Sequence, residues 1–303
     1  MPPPAVIGLR ARVPGSTSAA IEAFGPTGRQ AVVVRMDPAI RRGALSVADA
    51  DTLAGAARLA VQAGLPLVGV ITTSGADVTA GVAALHGWGQ AARELVAASG
   101  VVPILFAVVG PTLSGPALLL GIADAVVMTA DAMAYLSGPA MVAQMTGLVV
   151  SAQQLGGSDV HHRSTGVAAL AVATAGDAEA ALAEILAYLP DHTDAESPLG
   201  PQDDPVDRPT PELRDLLPAR ATGSYDVRTV IAAVADHGDY LELRAAWAPQ
   251  LVTALARVDG AAVGVVANQP LAMAGTLDIG AAQKGARFVA FCDAFNLPIV
   301  TLV

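Results

Sequence analysis

Lysine is almost missing from these 303 residues; Lys284 is the only one. A single lysine in this context leaves no GxxxxGK phosphate loop and no Met-Lys-Met site for a covalently attached prosthetic group. Cysteine is equally scarce. Cys292 stands alone, which excludes an internal disulfide framework, a four-cysteine zinc site and a CxxC redox pair, and leaves its sulfur to fill core space. Positive charge is in deficit as well, with 17 Lys and Arg against 27 Asp and Glu and a net charge of −10. Nucleic acid is therefore not an expected partner, since phosphate binding draws on clustered cations. Long uninterrupted apolar runs are also lacking, although 53% of the residues are hydrophobic. The greasiest stretch, residues 101–129, is broken by Pro103, Gly110, Pro111, Gly115, Pro116 and Gly121, whereas a bilayer-crossing helix needs about 20 unbroken residues. No membrane association is expected. The opening PPPAVIGLRARVPG lacks the basic and apolar regions of a secretory signal, so the expected compartment is the cytoplasm.

What the chain does contain is an alternation of short β-branched runs with alanine-rich helical stretches, the pattern of α/β layers. AVVVRM at 31–36 reads as a buried strand. In the segment that follows, Ser46 and Asp49 have capping-box spacing, and Gly64 with Pro66 beyond it signals a helix stop. LVGVI at 67–71 reads as the next strand and breaks into the loop TTSGAD. A helix over 82–98, the strand ILFAVV ended by Gly110 and Pro111, a glycine loop, a short apolar helix begun by Pro116 and the strand AVVMT complete the run. Residues 191–210, rich in acid and proline, read as a linker.

The chain also repeats itself. Gly28 matches Gly260, Pro38 matches Pro270, Gly43 matches Gly275, Leu45 matches Leu277, and Leu65-Pro66 matches Leu297-Pro298, each pair 232 positions apart. Two homologous α/β lobes follow, with strand, glycine turn, helix and strand in the same order. The expected organisation is an N-terminal segment (1–27), a first lobe (28–190), the linker (191–210) and the start of a second lobe (211–303). In register with the repeat, Val303 corresponds to Ile71. The sequence thus predicts a second lobe that stops at a strand, either truncated or completed by another polypeptide.

Two loops of the first lobe present small residues after strands: SGAD at 74–77 and TLSG at 112–115. Backbone N–H groups there can approach a ligand oxygen closely and stabilise a developing enolate or alkoxide. The same residues also make ordinary tight turns. Arg10, Arg12, Arg29, Arg35, Arg41 and Arg42 all precede the first long helix, a local positive field suited to the phosphates of coenzyme A or simply to solvent. His161 and His162 are adjacent; on a strand they would face opposite ways and make a poor metal pair, and no metal is expected.

Longer motifs carry a family resemblance. GVVPILFAVVGP from Gly100, SGPAMVAQMTG from Ser137, LGGSDVHHRSTGVA from Leu155, DDPVDR, VGVVANQPLAMAGTLDI and ARFVAFCDAFNLPIVTLV together resemble the carboxyltransferase (β) subunit of biotin-dependent acyl-CoA carboxylases, the propionyl-CoA and acetyl-CoA type. That resemblance implies tandem ClpP/crotonase-like lobes, one for acyl-CoA and one for carboxybiotin, with the site between lobes of neighbouring subunits in a homo-oligomer. It implies carboxyl transfer from carboxybiotin on a separate carrier protein to the α-carbon of a short acyl-CoA. The biotin anion acts as base, and the other partner is a biotin carboxylase. The enolate donors carry over to the backbone of Ser114 and Gly115, with Gly75 and Ala76 in the adjacent loop; Arg41 and Arg42 are candidates for the coenzyme A phosphates. Where such proteins usually show a double glycine followed by alanine, this chain has Ser114, Gly115 and Pro116, and DSGGAR is here TTSGAD. Two other readings accompany this one: a non-catalytic assembly subunit or inactive fragment, and a crotonase-type hydratase or isomerase. The last needs carboxylates for acid/base work, and the helix after Gly115 offers none before Asp124.

Overall fold

Ser46 and Asp49 form the capping box their spacing predicts, with each side chain bonded to the other's backbone N–H. They start a helix, α1 (Val47–Ala63), which Gly64 ends in the left-handed region at φ 63°. In a computed structural model of the chain, which describes Gly8–Leu9, residues 15–216 and residues 223–303, this helix connects two parallel strands of a large sheet. Arg10, Arg12 and residues 217–222 lie outside the described residues.

The chain divides into two compact units, up to Glu184 and from Ile185 onward. The first unit is built on an eight-stranded sheet of β1 (Gly8–Leu9), β2 (Thr17–Phe24), β3 (Arg29–Met36), β4 (Leu67–Thr73), β5 (Ile104–Leu113), β6 (Ala125–Thr129), β7 (Met133–Tyr135) and β8 (Leu170–Val172). Strands β3, β4, β5, β6 and β8 run parallel in that order, and β1–β2–β3 form an antiparallel edge. All seven residues of β4 are buried, as expected for a parallel strand covered on both faces. Helix α1 and α2 (Val82–Ala98) pack against each other beside the sheet, over a core that includes Leu53, Leu67, Leu95, Ile104 and Phe106. Burying each such side chain contributes roughly 1.5–3 kcal/mol. Beyond β7 come the short helices α3 (Pro139–Thr146), α4 (Ala152–Gly156) and α5 (Ser158–Val160), then α6 (Ala175–Leu186), within which the two units divide.

Gly110 and Pro111 do not end β5. Ile71 faces Val108 while Thr73 faces Thr112, so β5 carries two extra residues over that step. The resulting bulge releases β5 from β6 and hands its end, Pro111 to Leu113, to β7. A Cβ at Gly110 would lie 2.7 Å from the Thr72 hydroxyl oxygen, so a larger residue there would make the Thr72 side chain turn away. The helix after it is also not α-helical. It is a 3-10 turn, Gly115–Gly121, in which Pro116 takes the second position instead of the first. His161 and His162 lie on a wide helical turn (His161–Thr165), not on a strand.

The second unit contains α7 (Glu212–Leu216), α8 (Val227–Val234) and α9 (Ile279–Ala294), with a sheet of β9 (Tyr240–Leu243), β10 (Leu251–Val258), β11 (Ala261–Asn268) and β12 (Ile299–Leu302). The internal repeat is visible down to single dihedral angles. Strand β3 and strand β11 begin and end 232 positions apart, and α1 and α9 begin at the same separation. Between them, Arg41, Arg42 and Gly43 have φ values of 48°, 54° and 69°, and Met273, Ala274 and Gly275 have 48°, 53° and 70°. Residues 191–210 make defined contacts inside this unit, including Gly200 N–H to Gly260 O at 2.8 Å and the Arg257 guanidinium to Pro198 O at 2.7 Å. Lys284 is buried in α9, where its ammonium donates to the carbonyls of Arg244 and Trp247 at 2.9 and 3.0 Å. Burial pushes its pKa down to about 8. Cys292 is buried, and burial pushes its thiol up to about 12. Among the described residues no helix is long and apolar enough to cross a membrane.

Candidate active site

Because β3, β4 and β5 are adjacent and parallel, the loops at their C-terminal ends emerge side by side, the position where open α/β sheets hold ligands. Arg41 and Arg42 lie in the turn after β3, Gly75 and Ala76 in the loop after β4, and Ser114 and Gly115 at the end of β5.

Backbone hydrogen bonds lace the first two loops together. Ser74 N–H donates to Arg42 O at 3.0 Å, Leu45 N–H to Gly75 O at 2.8 Å, and Asp77 N–H to Leu45 O at 2.9 Å. The second and third loops touch directly, since a Cβ on Gly75 would lie 3.1 Å from that of Ser114. Gly75 also holds φ at 108°, a conformation other residues rarely adopt.

Donor by donor, the four sequence-predicted positions separate into two pairs. Gly75 N–H is taken by the Thr73 hydroxyl at 3.1 Å, and Ser114 N–H is taken by the Tyr135 carbonyl at 2.9 Å. The expectation that Ser114 offers a free donor is therefore corrected, because pairing of the β5 end with β7 brings that carbonyl onto it. The N–H groups of Ala76 and Gly115, in contrast, donate to no partner among the described residues. One free donor thus belongs to each of two touching loops. Backbone amides are normally paired, so two unpaired ones on touching loops are a pair of donors open to an oxygen acceptor.

Ser114 itself is strained. At φ 62° and ψ −145° it occupies a region that glycine enters freely and other residues rarely do. On the other side of Gly115 lies Trp88 from α2, whose ring would meet a Cβ at that position at 3.3 Å. Its indole nitrogen is buried and unpartnered among the described residues. Neither Trp88 nor the Tyr135 carbonyl is visible in the loop motifs, because both reach the site through long-range packing.

The arginines also separate. Arg41 bonds Asp77 at 2.8 Å and approaches the fully buried Asp49 at 3.7 Å. Asp77 in turn caps the turn at Val78–Ala80, and the Thr79 hydroxyl and then the Thr79 N–H hold its carboxyl below the usual range. Arg35 is occupied by Glu22 and Glu179 at 2.9 and 3.0 Å. Arg42 is exposed and has no ion-pair partner among the described residues. Of the two arginines predicted for phosphates, Arg42 is the one left available.

Two aspartates stand in the loops after β3 and β4; Asp37 is exposed and accepts the Ala39 N–H at 2.8 Å. Asp77 is paired as described, and Asp124 lies at the opposite end of the sheet, where β5 and β6 begin, and accepts the Ile104 N–H at 2.8 Å. His161 is occupied as well. Its Nε2–H donates to Ala134 O at 2.8 Å, and Nδ1 lies 3.0 Å from the Thr165 hydroxyl.

Residues 25–303 match the family model described as the carboxyl transferase domain. The chain is 36% identical over 277 residues to the methylmalonyl-CoA decarboxylase subunit alpha of Veillonella parvula, covering 91% of this chain and 54% of that one. It is 40% identical over 245 residues to the methylmalonyl-CoA carboxyltransferase 12S subunit of Propionibacterium freudenreichii subsp. shermanii, covering 80% and 46%. Among solved structures, the transcarboxylase 12S hexamer with methylmalonyl-coenzyme A and methylmalonic acid bound superposes with a TM-score of 0.94 at 32% identity. That match covers 99% of this chain and 61% of the other. The chain spans about half the length of the curated relatives it matches. With the layered α/β fold and the match across residues 25–303, the chain belongs to the carboxyl transferase domain family of crotonase-like proteins.

Proposed function

We propose that this chain is the carboxyltransferase component of a biotin-dependent acyl-CoA carboxylase, and that its first lobe binds the acyl-CoA. The observation that carries the reading is the pair of unpartnered N–H groups, Ala76 and Gly115, on two touching loops. A thioester oxygen accepting both would gain stabilisation as the α-carbon loses its proton and negative charge develops on that oxygen. Removing one such donor typically costs about 2.7–4 kcal/mol of barrier. The α-carbon would then form its bond to the transferred carboxyl carbon, whose bond to the biotin ring nitrogen breaks, and that nitrogen would take the α-proton.

Asp77 is ion-paired, both ring nitrogens of His161 are engaged, and the turn Gly115–Gly121 contains no carboxylate, which disfavours the hydratase or isomerase reading. Carboxybiotin, delivered on a carrier protein, supplies both the carboxyl group and the base. The role of the protein's own residues is to hold the oxygen at Ala76 and Gly115 and to neutralise coenzyme A phosphate at Arg42. The partners in this reading are a biotin carboxylase and a biotin carboxyl carrier, in a cytoplasmic homo-oligomer. The domain reading accompanies it: a first lobe at 28–190, and at 211–303 the start of a lobe on the biotin side.

The test is a reconstituted assay with biotin carboxylase, biotinylated carrier, bicarbonate, ATP and a panel of acyl-CoAs. The chain would be compared with a version extended through the second lobe. Carboxylated acyl-CoA from either form supports the proposal; absence of product from both would favour an assembly subunit.

A further inference from the structure

The peptide between Ser114 and Gly115 carries one of the two free donors, and its orientation decides whether that donor is presented. Its carbonyl oxygen accepts the Ala117 N–H at 3.0 Å, inside the turn Gly115–Gly121. In a trans peptide the N–H points opposite to the carbonyl, so the Gly115 N–H points out of that turn.

The two residues stand in the wrong order for this orientation. Ser114 holds φ 62° and ψ −145°, and Gly115 keeps a negative φ. A positive φ with strongly negative ψ, followed by a negative φ, is the type II′ pairing, which takes glycine at its first central position. Here serine is first and glycine second. Turning the peptide plane over changes ψ of Ser114 and φ of Gly115 by about 180° each and leaves the flanking Cα atoms almost in place. Ser114 then keeps its φ and takes a ψ of roughly +35°, inside the left-handed region that a residue with a Cβ can occupy. Gly115 takes a positive φ, which glycine enters freely. Serine followed by glycine suits that flipped, type I′ pairing, as Asn-Gly does.

One hydrogen bond opposes the flip. The Ala117 N–H would lose Ser114 O, whereas the Ser114 N–H keeps Tyr135 O because the preceding peptide does not move. The strain held in Ser114 and the net worth of one such bond are of the same order, so the two orientations lie close in free energy. We propose that the Ser114–Gly115 peptide is a two-state switch: the observed orientation presents the Gly115 N–H to a ligand oxygen, and the flipped one puts the Ser114 carbonyl oxygen in its place. An oxygen acceptor binds the first form alone and draws the population towards it. Its apparent affinity is its intrinsic affinity multiplied by the fraction of chains in that form. The identity of the acceptor as an acyl-CoA thioester rests on the function proposed above; the flip itself does not.

Relaxation-dispersion NMR with glycine-selective isotope labelling reads the flip as microsecond-to-millisecond exchange at the Gly115 amide, assigned by its loss in Gly115→Ala. Ser114→Gly makes the observed angles easy to hold and is expected to lower the flipped fraction by about fivefold or more. Ser114→Asn is expected to raise it, because asparagine enters the left-handed region more readily than serine. Either variant is sufficient should the other not fold. Saturating propionyl-CoA is expected to suppress the exchange in the wild-type chain. Flat dispersion at Gly115 in wild type and Ser114→Asn alike would overturn the switch, and so would a flipped fraction that neither substitution moves. Exchange that follows both substitutions but persists with propionyl-CoA present would support the switch and count against the acyl-CoA reading alone.

Discussion

Ser114 gives its backbone N–H to the Tyr135 carbonyl at 2.9 Å while holding φ at 62° and ψ at −145°. The bond turns Ser114 into a structural hinge and leaves the next amide, that of Gly115, as the donor of this loop. A residue with a Cβ stores roughly 1–3 kcal/mol of backbone strain in such a conformation. Ser114→Gly removes that strain at the cost of greater freedom in the unfolded chain. The expected net effect is a stabilisation of about 1 kcal/mol, read as a higher denaturation midpoint at unchanged slope. Ser114→Ala keeps the Cβ and should not share the gain; equal gains in both variants would show that strain is not the cause.

Gly115 allows its donor to be tested separately from its size. Gly115→Pro deletes the N–H and is expected to lower turnover in the reconstituted reaction by about a hundredfold or more. Gly115→Ala keeps the N–H and brings a methyl group to 3.3 Å from the Trp88 ring, a contact that a small shift of the indole relieves. Its expected loss is about tenfold at most. Comparable losses in the two folded variants would assign the effect to packing against Trp88 instead of to the donor.

Much of this site was legible in the sequence because its determinants are local. The capping box of Ser46 and Asp49, the stop at Gly64 and the loops after 67–73 and 104–113 all depend on residues a few positions apart. The internal repeat was legible for a related reason, since Gly43 and Gly275 are held to the same dihedral angle by the same turn. What local pattern does not reveal is partner exchange between strands. Gly110 and Pro111 have the composition of a strand end, yet β5 continues through them because β7 takes over from β6. The same long-range pairing places Tyr135 O on Ser114 N–H, so the sequence points to a loop and not to which of its amides is free. At Gly75 the N–H is taken locally instead, by the hydroxyl of Thr73 two positions earlier.

Arg41 and Arg42 are neighbours with different fates, and each makes its own prediction. Arg41→Ala deprives Asp77 and the buried Asp49 of their cation, so it should lower stability by about 1 kcal/mol. Arg42→Ala breaks no ion pair among the described residues. It should leave the denaturation midpoint within experimental error and weaken coenzyme A binding about fivefold at low salt, the equivalent of about 1 kcal/mol. That difference should shrink as salt rises and the screening length falls to about 3 Å at 1 M. A salt-independent loss for Arg42→Ala would remove it from the phosphate site.

Lys284, the only lysine, offers a pH test of the second unit. Burial lowers its pKa from 10.5 to about 8, with the Glu242 carboxylate pulling in the opposite direction. Between about 8 and 10.5 the folded chain binds fewer protons at this group than the unfolded chain does, so its contribution to stability rises with pH across that window. Below it, the cost of burying the ammonium is present in full, offset in part by the carbonyls of Arg244 and Trp247. Lys284→Met has no proton to lose and leaves those two carbonyls unpaired. The stability of the wild-type chain relative to Lys284→Met should therefore climb by up to about 3 kcal/mol from pH 8 to 10.5. Denaturant titrations of both proteins at several pH values measure that difference directly, with other titrating groups cancelling to first order. A difference that stays flat across the window would mean that Lys284 titrates at its ordinary value and that water reaches its ammonium in the folded state.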